Sequence, residues 1–305
     1  MRPEIHVYAN PTIDYIRTPH GGWRGPRPGG PGLYAARLLG GEARVLVYGC
    51  HGGEEVVVKG YGGAGAELAS PPRGMTTVFH LLYVDGAATR RLVMDSFCGE
   101  IPSTGSGEAA LLAPVYREAS SHHVAAITST YPYVVVDVQG YARRRLPDGR
   151  IAHDPAGAEA LLAMAGRREN IVFKLGIDDL GAEHSARLLL EAARTGRSLV
   201  LTMGYRGLLA AVNNNLYYVE ACGPKAEDPT GLGDGFTARL LLGLLDGLEP
   251  LDAVVEAAEA ICRYLGGRRC TCMYERVSAA EAVRLAHWGC GEGAGGGPMR
   301  PHHEG

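Results

Sequence analysis

The chain has 305 residues, 46% of them hydrophobic, which is enough for the core of one large α/β domain or two small ones. Its formal net charge of −3, with no basic tract, does not fit a nucleic-acid-binding protein. No apolar run of roughly 18 residues indicates a membrane span, and the N-terminus lacks the apolar segment of a signal peptide. We therefore expect a soluble cytoplasmic enzyme that binds neither nucleic acid nor membranes.

The cysteines give no clear structural signal. There are seven, at scattered positions, and an odd number does not indicate a disulfide framework. Cys270 and Cys272 lie too close together, with no partner histidines, to predict a zinc site. We expect buried free thiols, which pack as small apolar side chains.

The N-terminal region begins with a predicted strand over residues 5–9. Asp14 lies just past its end, where open α/β sheets bind ligands, although an Asp here can equally cap a turn. The Gly- and Pro-rich residues 19–32 predict an irregular loop. A helix over 33–39 and a strand over 44–48 are expected to follow.

The next segments are β-like at residues 55–61 and 75–84. An Asp85-Gly86 turn predicts that the second run forms a hairpin with residues 89–94. Beyond it, residues 108–118 predict a helix bent at Pro114, and residues 124–128 predict a strand.

The second half of the chain alternates between strands and helices. Residues 133–138 form a β-branched run typical of a strand buried on both faces of a parallel sheet. The pattern then predicts helices over 155–165 and 182–193 and strands over 171–175 and 198–202. Such alternation indicates a parallel α/β sheet. A strand over 216–221 and helices over 236–245, 251–265 and 278–287 complete the prediction.

A glycine turn over residues 228–236 joins the strand at 216–221 to the apolar helix at 236–245. Gly231 and Gly233 allow positive φ and bring backbone N–H groups to a helix N-terminus, which favours an anion. An acid at Asp234 would repel a phosphate, so it is better explained as a base acting on the group that attacks the phosphate. A plain structural turn, or Asp234 as a helix cap, remains an alternative. A dinucleotide site and a P-loop are excluded, because G-x-G-x-x-G and G-x-x-x-x-G-K-[ST] are both absent from this position.

This turn resembles the second signature of the ribokinase family of carbohydrate kinases, also called the PfkB family. The match comprises Asp228, Thr230, Gly231, Gly233 and Asp234. Pro229 and Leu232 depart from the family pattern, although the backbone N–H of Leu232 is retained.

Three more segments resemble the same family. The first signature is matched by Gly29-Gly30-x-x-x-Tyr34-x-Ala36, with Tyr34 where ribokinases carry a sugar-binding Asn. The segment Asp137-x-Gln139-Gly140-x-x-Arg143 resembles one found in a subset that includes inositol kinases. Thr202-x-Gly204-x-x-Gly207 resembles the nucleotide-binding loop of the family.

The resemblance implies an α/β, ribokinase-like fold with a central, mostly parallel sheet, helices on both faces and a small β-sheet lid. It implies one kinase domain over residues 1–290, with lid segments at about 13–32 and 74–100. Residues 291–305 are expected to form a disordered tail. Dimers formed through the lid occur in the family, so a homodimer is an expectation by analogy.

The resemblance also implies roles for individual residues. Asp234 would be the general base, and the N–H groups of Gly231, Leu232 and Gly233 would form an anion hole. ATP would be bound with Mg²⁺, which Asp179 would contact in its outer shell. The residues implied on the nucleotide side are Lys174, Thr202, Gly204 and Gly207. Those implied on the side of a sugar or polyol substrate are Asp14, Gly29, Gly30, Tyr34, Gln139 and Arg143.

Three alternatives remain open. Asp137 and Arg143 could form a structural ion pair and leave the substrate to other groups. The acceptor could be a nucleoside or a keto-deoxy sugar acid. The chain could also be a non-catalytic relative that binds a nucleotide or metabolite as a sensor.

Overall fold

The structure is a computed structural model that describes residues 2–18, 21–83, 90–166, 168, 170–226 and 228–291. In chain order, the strands within these residues are β1 Glu4–Tyr8, β2 Thr12–Arg17, β3 Trp23–Gly29, β4 Arg44–Tyr48, β5 Ala66–Leu68, β6 Thr77–Tyr83, β7 Arg90–Ser96, β8 Ala109–Leu112, β9 Tyr133–Asp137, β10 Arg143–Arg145, β11 Ile151–His153, β12 Ile171–Gly176, β13 Ser198–Thr202, β14 Leu208–Val212, β15 Asn215–Val219 and β16 Tyr274–Val277. The helices are α1 Pro31–Leu39, α2 Glu55–Ala64, α3 Ser121–Thr130, α4 Pro155–Ala165, α5 Ile177–Leu180, α6 Ala182–Thr195, α7 Leu232–Leu245, α8 Pro250–Tyr264 and α9 Ala279–Cys290. None of the helices in the described ranges is long and apolar enough to cross a membrane.

Ten strands form the central sheet, in the order β16-β15-β14-β13-β12-β9-β8-β1-β4-β5. The strands from β13 to β5 pair in parallel, whereas β14, β15 and β16 pair antiparallel at one edge. The predicted mostly parallel α/β sheet is therefore confirmed. Parallel neighbours need crossover connections, and α3, α4 and α6 lie in three of them.

Helices cover both faces of this sheet. Successive residues of β8 show it directly: Ala110 and Leu112 pack with the helices on one face, and Ala109 and Leu111 pack with those on the other. The first face carries α3, α4, α6 and α9, and the second carries α1, α2, α7 and α8. Burial on both faces explains the continuous apolar runs of the central strands.

A separate four-stranded sheet, which we call the small sheet, has the order β3-β2-β6-β7. Its strands come from the two segments that the sequence assigns to a lid. The inner face, with Ile16, Phe79 and Met94, packs against Val115 of the core. The predicted Asp85-Gly86 turn lies outside the described residues, as does all of the predicted tail after Gly291.

Four local predictions are wrong. Residues 55–61 are helical, because Val57 and Tyr61, four residues apart, are the buried pair of a one-sided helix. Residues 109–112 form β8, which pairs with β1 and β9 and has all four side chains buried. Residues 121–130 form α3, capped by Ser120, whose side chain accepts a hydrogen bond from the backbone N–H of His123. Part of the Gly- and Pro-rich loop is β3, an edge strand, where proline is tolerated.

The expectation of free thiols is also wrong. The described part of the chain contains three disulfides, which join Cys50 to Cys98, Cys222 to Cys272, and Cys262 to Cys270. Two of them close loops of 48 and 50 residues, so proximity in the fold creates pairs that spacing in the sequence does not reveal. Disulfides persist in oxidising compartments and in intracellular proteins of hyperthermophiles, so the cytoplasmic location stays a prediction.

Candidate active site

The candidate site lies where parallel strands of the central sheet end. The carboxyl ends of β9, β12 and β13 lie at Asp137, Gly176 and Thr202, on one edge because these strands are parallel neighbours. Helix α7 begins beside them at Leu232. Ligands of open α/β sheets bind at this edge.

Gly231 forms the sharp turn that starts α7. Its backbone has a φ of 81°, and a Cβ atom added there would lie 2.1 Å from the ring of Tyr34. Only glycine satisfies both conditions, because a side chain would be strained by φ and would collide with the ring. The backbone N–H of Leu232 donates to the Pro229 carbonyl oxygen at 3.1 Å, so one of the three predicted anion-hole donors serves the turn itself.

Asp234 lies in the first turn of α7. Its Oδ1 atom accepts a hydrogen bond from Nε2 of Gln139 at 3.1 Å. Burial raises the pKa of Asp234 to about 6, and the nearby charge of Asp137 adds to this effect. Lys174, Arg143 and the hydrogen bond from Gln139 act in the opposite direction. A carboxylate with this pKa can accept a proton near neutral pH.

Asp14 is a second buried carboxyl group near Asp234. It lies in β2 of the small sheet, within the strand instead of in the predicted turn after β1. Thr12, two residues earlier on the same face, donates from Oγ1 to Asp14 Oδ1 at 2.8 Å. Burial raises the pKa of Asp14 to about 7, with a further contribution from the charge of Asp234. The two carboxyl groups therefore share one electrostatic environment.

Two glycines shape the wall beside Asp14. A Cβ atom on Gly29 would lie 2.0 Å from the Asp14 carboxylate, so this backbone approaches the acid directly. Gly30 has a φ of 97°, and a Cβ there would lie 2.9 Å from the hydroxyl of Tyr61. The Tyr61 hydroxyl donates to the carbonyl oxygen of Gly29 at 2.9 Å and fixes this turn.

Tyr34 lies in α1, with its ring against Gly231. Burial raises the pKa of this phenol, and the charges of Asp14 and Asp234 add to the effect. Tyr34 is therefore neutral at physiological pH. The ring of Tyr34 therefore connects the segment that contains Gly29 and Gly30 to the turn at Gly231. This contact could not be predicted from the sequence.

Lys174 and Asp137 form a buried ion pair, with 3.0 Å between Nζ and Oδ2. Burial favours loss of the lysine proton, but the carboxylates of Asp137, Asp179 and Asp234 outweigh it and raise the pKa of Lys174. A Cβ on Gly233 would lie 3.0 Å from the Lys174 Nζ atom. A permanent positive charge thus lies directly beside the start of α7.

Arg143 does not pair with Asp137, which corrects the structural alternative considered from the sequence. Its guanidinium group donates to Oε1 of Gln139 at 2.9 Å and to the carbonyl oxygen of Val115 at 2.8 Å. It also lies 3.7 Å from Asp179 Oδ1.

Asp179 lies on α5, and its Oδ2 atom accepts a hydrogen bond from the Gly176 N–H at 3.2 Å. Among the residues that the structure describes, no three His, Cys, Asp or Glu side chains come together as a metal site. A divalent cation here would therefore depend mostly on phosphate oxygens, as Mg²⁺ commonly does.

The predicted nucleotide loop is a tight turn after β13. Gly204 and Gly207 have φ angles of 59° and 87°, and a Cβ on Gly207 would lie 2.2 Å from the Val219 carbonyl oxygen. Thr202 donates from Oγ1 to the Leu175 carbonyl oxygen at 3.4 Å. Both glycines are required by the turn itself.

Three residues that were not among the predicted site residues connect the small sheet to this site. Tyr83 shares a hydrogen bond of 2.8 Å with the Thr230 hydroxyl, and Arg27 lies 3.5 Å from Asp228 Oδ2. Thr12 orients Asp14, as described above. Only Thr12 carried a signal, because residues two apart in a strand share a face. The other two contacts depend on how the two sheets are placed.

No protein-family model and no curated protein matches the chain. Several solved structures, in contrast, are similar to the chain. A pyrophosphate-dependent kinase in the ribokinase family, complexed with a pyrophosphate analogue and myo-inositol, is similar with a TM-score of 0.66, 17% identity, and coverage of 88% of this chain and 97% of the other. Fructokinase from Vibrio cholerae O395, with fructose, ADP and calcium bound, gives a TM-score of 0.61, 18% identity, and coverage of 87% and 93%.

Ribokinase from Arabidopsis thaliana, complexed with ribose and ATP, has a TM-score of 0.61 and 15% identity, with coverage of 94% of this chain and 99% of that one. At such low identity the similarity establishes the fold. The large, mostly parallel central sheet, the helices around it and the separate small sheet agree with this fold. The chain has the ribokinase-like fold that its motifs predict.

Proposed function

We propose that the protein is a kinase that transfers a phosphoryl group to a hydroxyl of a small sugar or polyol. The observation that carries this proposal is the position of Asp234. A buried carboxylate with a pKa raised to about 6 lies in the first turn of α7, beside a second carboxylate and a buried lysine. The similar structures with myo-inositol, fructose and ribose support this acceptor class.

Asp234 would accept the proton of the attacking hydroxyl. Phosphoryl transfer requires an aligned attacker and stabilisation of the charge on the transferred group. The acceptor hydroxyl would be aligned by Asp14 and by the backbone of Gly29 and Gly30, which lies against that carboxylate. Tyr34, Gln139 and Arg143 would contact the acceptor from the same side. An inositol-like acceptor fits this proposal, since the segment from Asp137 to Arg143 resembles that of inositol kinases.

The transferred phosphoryl group would bind at the start of α7. The N–H groups of Gly231, Leu232 and Gly233 would stabilise its charge together with the ammonium group of Lys174. Of these donors, Leu232 would have to leave its bond to Pro229 or share it. The small sheet would cover the site, since its Tyr83 already contacts Thr230 in the glycine turn. Cover of this kind excludes water during transfer.

We propose ATP as the donor. Thr202, Gly204 and Gly207 would hold its phosphates through their turn, with Lys174 towards the group that is transferred. Mg²⁺, when bound, neutralises donor charge, and Asp179 would contact its water ligands.

Pyrophosphate is a second candidate donor. By the family resemblance, the adenine of ATP would lie beside the helices after the glycine turn, but in this chain the loop over 220–226 packs directly on the end of α8. A Cβ on Gly223 would lie 3.0 Å from the Cys262 Cα atom, and two disulfides hold these segments together. A donor without a base needs no room there, and one similar structure binds a pyrophosphate analogue.

The test is phosphoryl transfer from MgATP and from Mg-pyrophosphate to a panel of cyclitols, pentoses, hexoses, sugar acids and nucleosides. We expect turnover that depends on one acceptor class. Asp234→Asn should lower kcat about 10²- to 10⁴-fold, the usual contribution of a general base. Asp246→Asn, at the exposed other end of α7, is the matched control and should leave kcat unchanged.

Two results would count against this function. Full turnover in Asp234→Asn would remove that residue from the chemistry. Binding of a donor without turnover on any acceptor would favour the sensor alternative.

A further inference from the structure

Gln139 makes an unusual pair of contacts in the candidate site. It follows β9, in a short 3-10 turn over Val138–Gly140. The Nε2 atom donates to Asp234 Oδ1 at 3.1 Å, and the Oε1 atom accepts from Arg143 at 2.9 Å. The amide therefore lies between the proposed base and a buried guanidinium group.

These two contacts fix the orientation of the amide. Reversing it would place the amide oxygen against the Asp234 carboxylate and the amide N–H groups against Arg143. Both contacts would then be repulsive, because arginine only donates and an ionised carboxylate only accepts. Arg143 thus determines that an N–H group of Gln139 points towards Asp234.

Arg143 and the backbone of Gln139 are each held in place by a further hydrogen bond. Arg143 is buried and donates a second hydrogen bond to the Val115 carbonyl oxygen at 2.8 Å. The backbone N–H of Gln139 donates to Asp137 Oδ1 at 3.0 Å. Asp137 is itself held by Lys174. Gln139 consequently has little freedom to turn away from Asp234.

We propose that Gln139 is a positioning residue that holds one oxygen of the Asp234 carboxylate, so that the other oxygen faces the acceptor hydroxyl. This inference rests on the proposed function. It goes beyond a substrate contact, since the N–H group in question is already used by Asp234. The second N–H of the amide stays available to a substrate hydroxyl.

The hydrogen bond from Gln139 also affects the pKa of Asp234. The charges that face Asp234 are the carboxylates of Asp137 and Asp14, which oppose ionisation, and Lys174 and Arg143, which favour it. The hydrogen bond from Gln139 also favours the ionised form. Removing it should raise the pKa of Asp234, so the rise of activity with pH should shift to higher pH.

The first experiment compares kcat and KM across pH for the full-length wild type and Gln139→Met, which keeps the length of the side chain and removes the donor. We expect kcat to fall about 10-fold, the effect of losing one hydrogen bond to a charged group. The acid-side midpoint should rise by about one pH unit, with KM changed less than kcat. Arg144→Met is the matched control, because this neighbouring arginine is exposed, and its profile should equal that of the wild type. A raised KM with an unchanged kcat and midpoint would overturn the proposal and leave Gln139 as a substrate contact.

The second experiment tests the role of Arg143 through Gln139. Arg143→Lys keeps the charge but loses the rigid fork that holds the amide. We expect it to shift the acid-side midpoint in the wild-type background and to cause no further shift of the midpoint in Gln139→Met. Additive shifts would contradict action through Gln139. Thermal unfolding of each variant checks that it is folded.

A third measurement separates this inference from the proposed function. The titration of the Asp234 carboxyl carbon, followed by NMR with ¹³C-labelled aspartate and assigned with Asp234→Asn, needs no turnover. An upward shift of the Asp234 pKa in Gln139→Met supports the contact even if the wild type phosphorylates nothing in the panel. An unchanged titration would overturn the contact even if the kinase activity is found.

Discussion

Asp14→Asn is expected to stabilise the protein at neutral and alkaline pH while it damages the site. The pKa of Asp14 is raised from 3.8 to about 7 in the folded chain, first by burial and then by the charge of Asp234. Because the pKa of Asp14 is higher in the folded state, the folded protein binds more protons than the unfolded one between pH 3.8 and about pH 7. The contribution of Asp14 to stability is therefore fully present below the lower value and is lost as the pH rises to about 7.

The size of the effect follows from the same shift. One pKa unit corresponds to about 1.4 kcal/mol, so ionised Asp14 costs up to about 4 kcal/mol of unfolding free energy. The Asn amide retains an oxygen that can accept the bond from Thr12, which preserves the local geometry. We expect Asp14→Asn to raise the free energy of unfolding by about 2–4 kcal/mol at about pH 8, and to change it little at about pH 4.

The assay is denaturation by urea at several pH values, followed by circular dichroism, with the disulfides intact. Asp246→Asn is the control, since that residue is exposed and its substitution should give a difference that does not grow from neutral to alkaline pH. A difference between Asp14→Asn and the wild type that stays flat from about pH 4 to about pH 8 would refute the reasoning.

Two further predictions concern the glycine turn and the disulfides. Gly231→Ala should abolish most turnover and lower Tm, because its Cβ would lie 2.1 Å from the Tyr34 ring at a φ of 81°. Gly247→Ala is the control, because its φ is 86° and no atom lies within 4 Å of the added Cβ, so it measures the backbone strain alone. We expect it to lower Tm less than Gly231→Ala does. Equal decreases in Tm would show that the contact with the Tyr34 ring is unimportant. Reduction with a dithiol should lower the free energy of unfolding by about 2–4 kcal/mol for each disulfide that closes a long loop, and by less for the short one. Tm with and without reductant, together with alkylation and mass measurement, checks this; seven alkylated cysteines in the unreduced, denatured chain would disprove the disulfides.

The parallel sheet could be predicted because its signal is local. The β-branched run that became β9 and the alternating segments that became α4, β12, α6 and β13 each carry their own periodicity. Their boundaries differ from the prediction by a few residues at most. The segments over 55–61 and 109–112 were misassigned because short apolar runs fit either period, and packing against neighbours chose between them.

The candidate site was predicted through its motifs, and the glycines show why such motifs are informative. Gly231 must adopt a positive φ against a ring, and Gly29 must approach Asp14 closely. Because only glycine meets requirements of this kind, such positions can be recognised in the sequence. Gln139 shows the limit of the approach. The motif placed it at a strand end, but its partner Asp234 is 95 residues away and could not be identified from spacing.

The amino-acid sequence by itself determined the fold class, the strand ends that border the candidate site, and the identity of the acid at the start of α7. These depend on local periodicity and on backbone conformations that few residues tolerate. Only the tertiary structure decided which polar groups meet: Lys174 with Asp137, Arg143 with Gln139, and Asp14 beside Asp234. It also decided which cysteines pair. The physical reason is that hydrogen bonds, ion pairs and disulfides form between groups that are close in the folded chain, and this spatial distance cannot be read from their separation along the sequence.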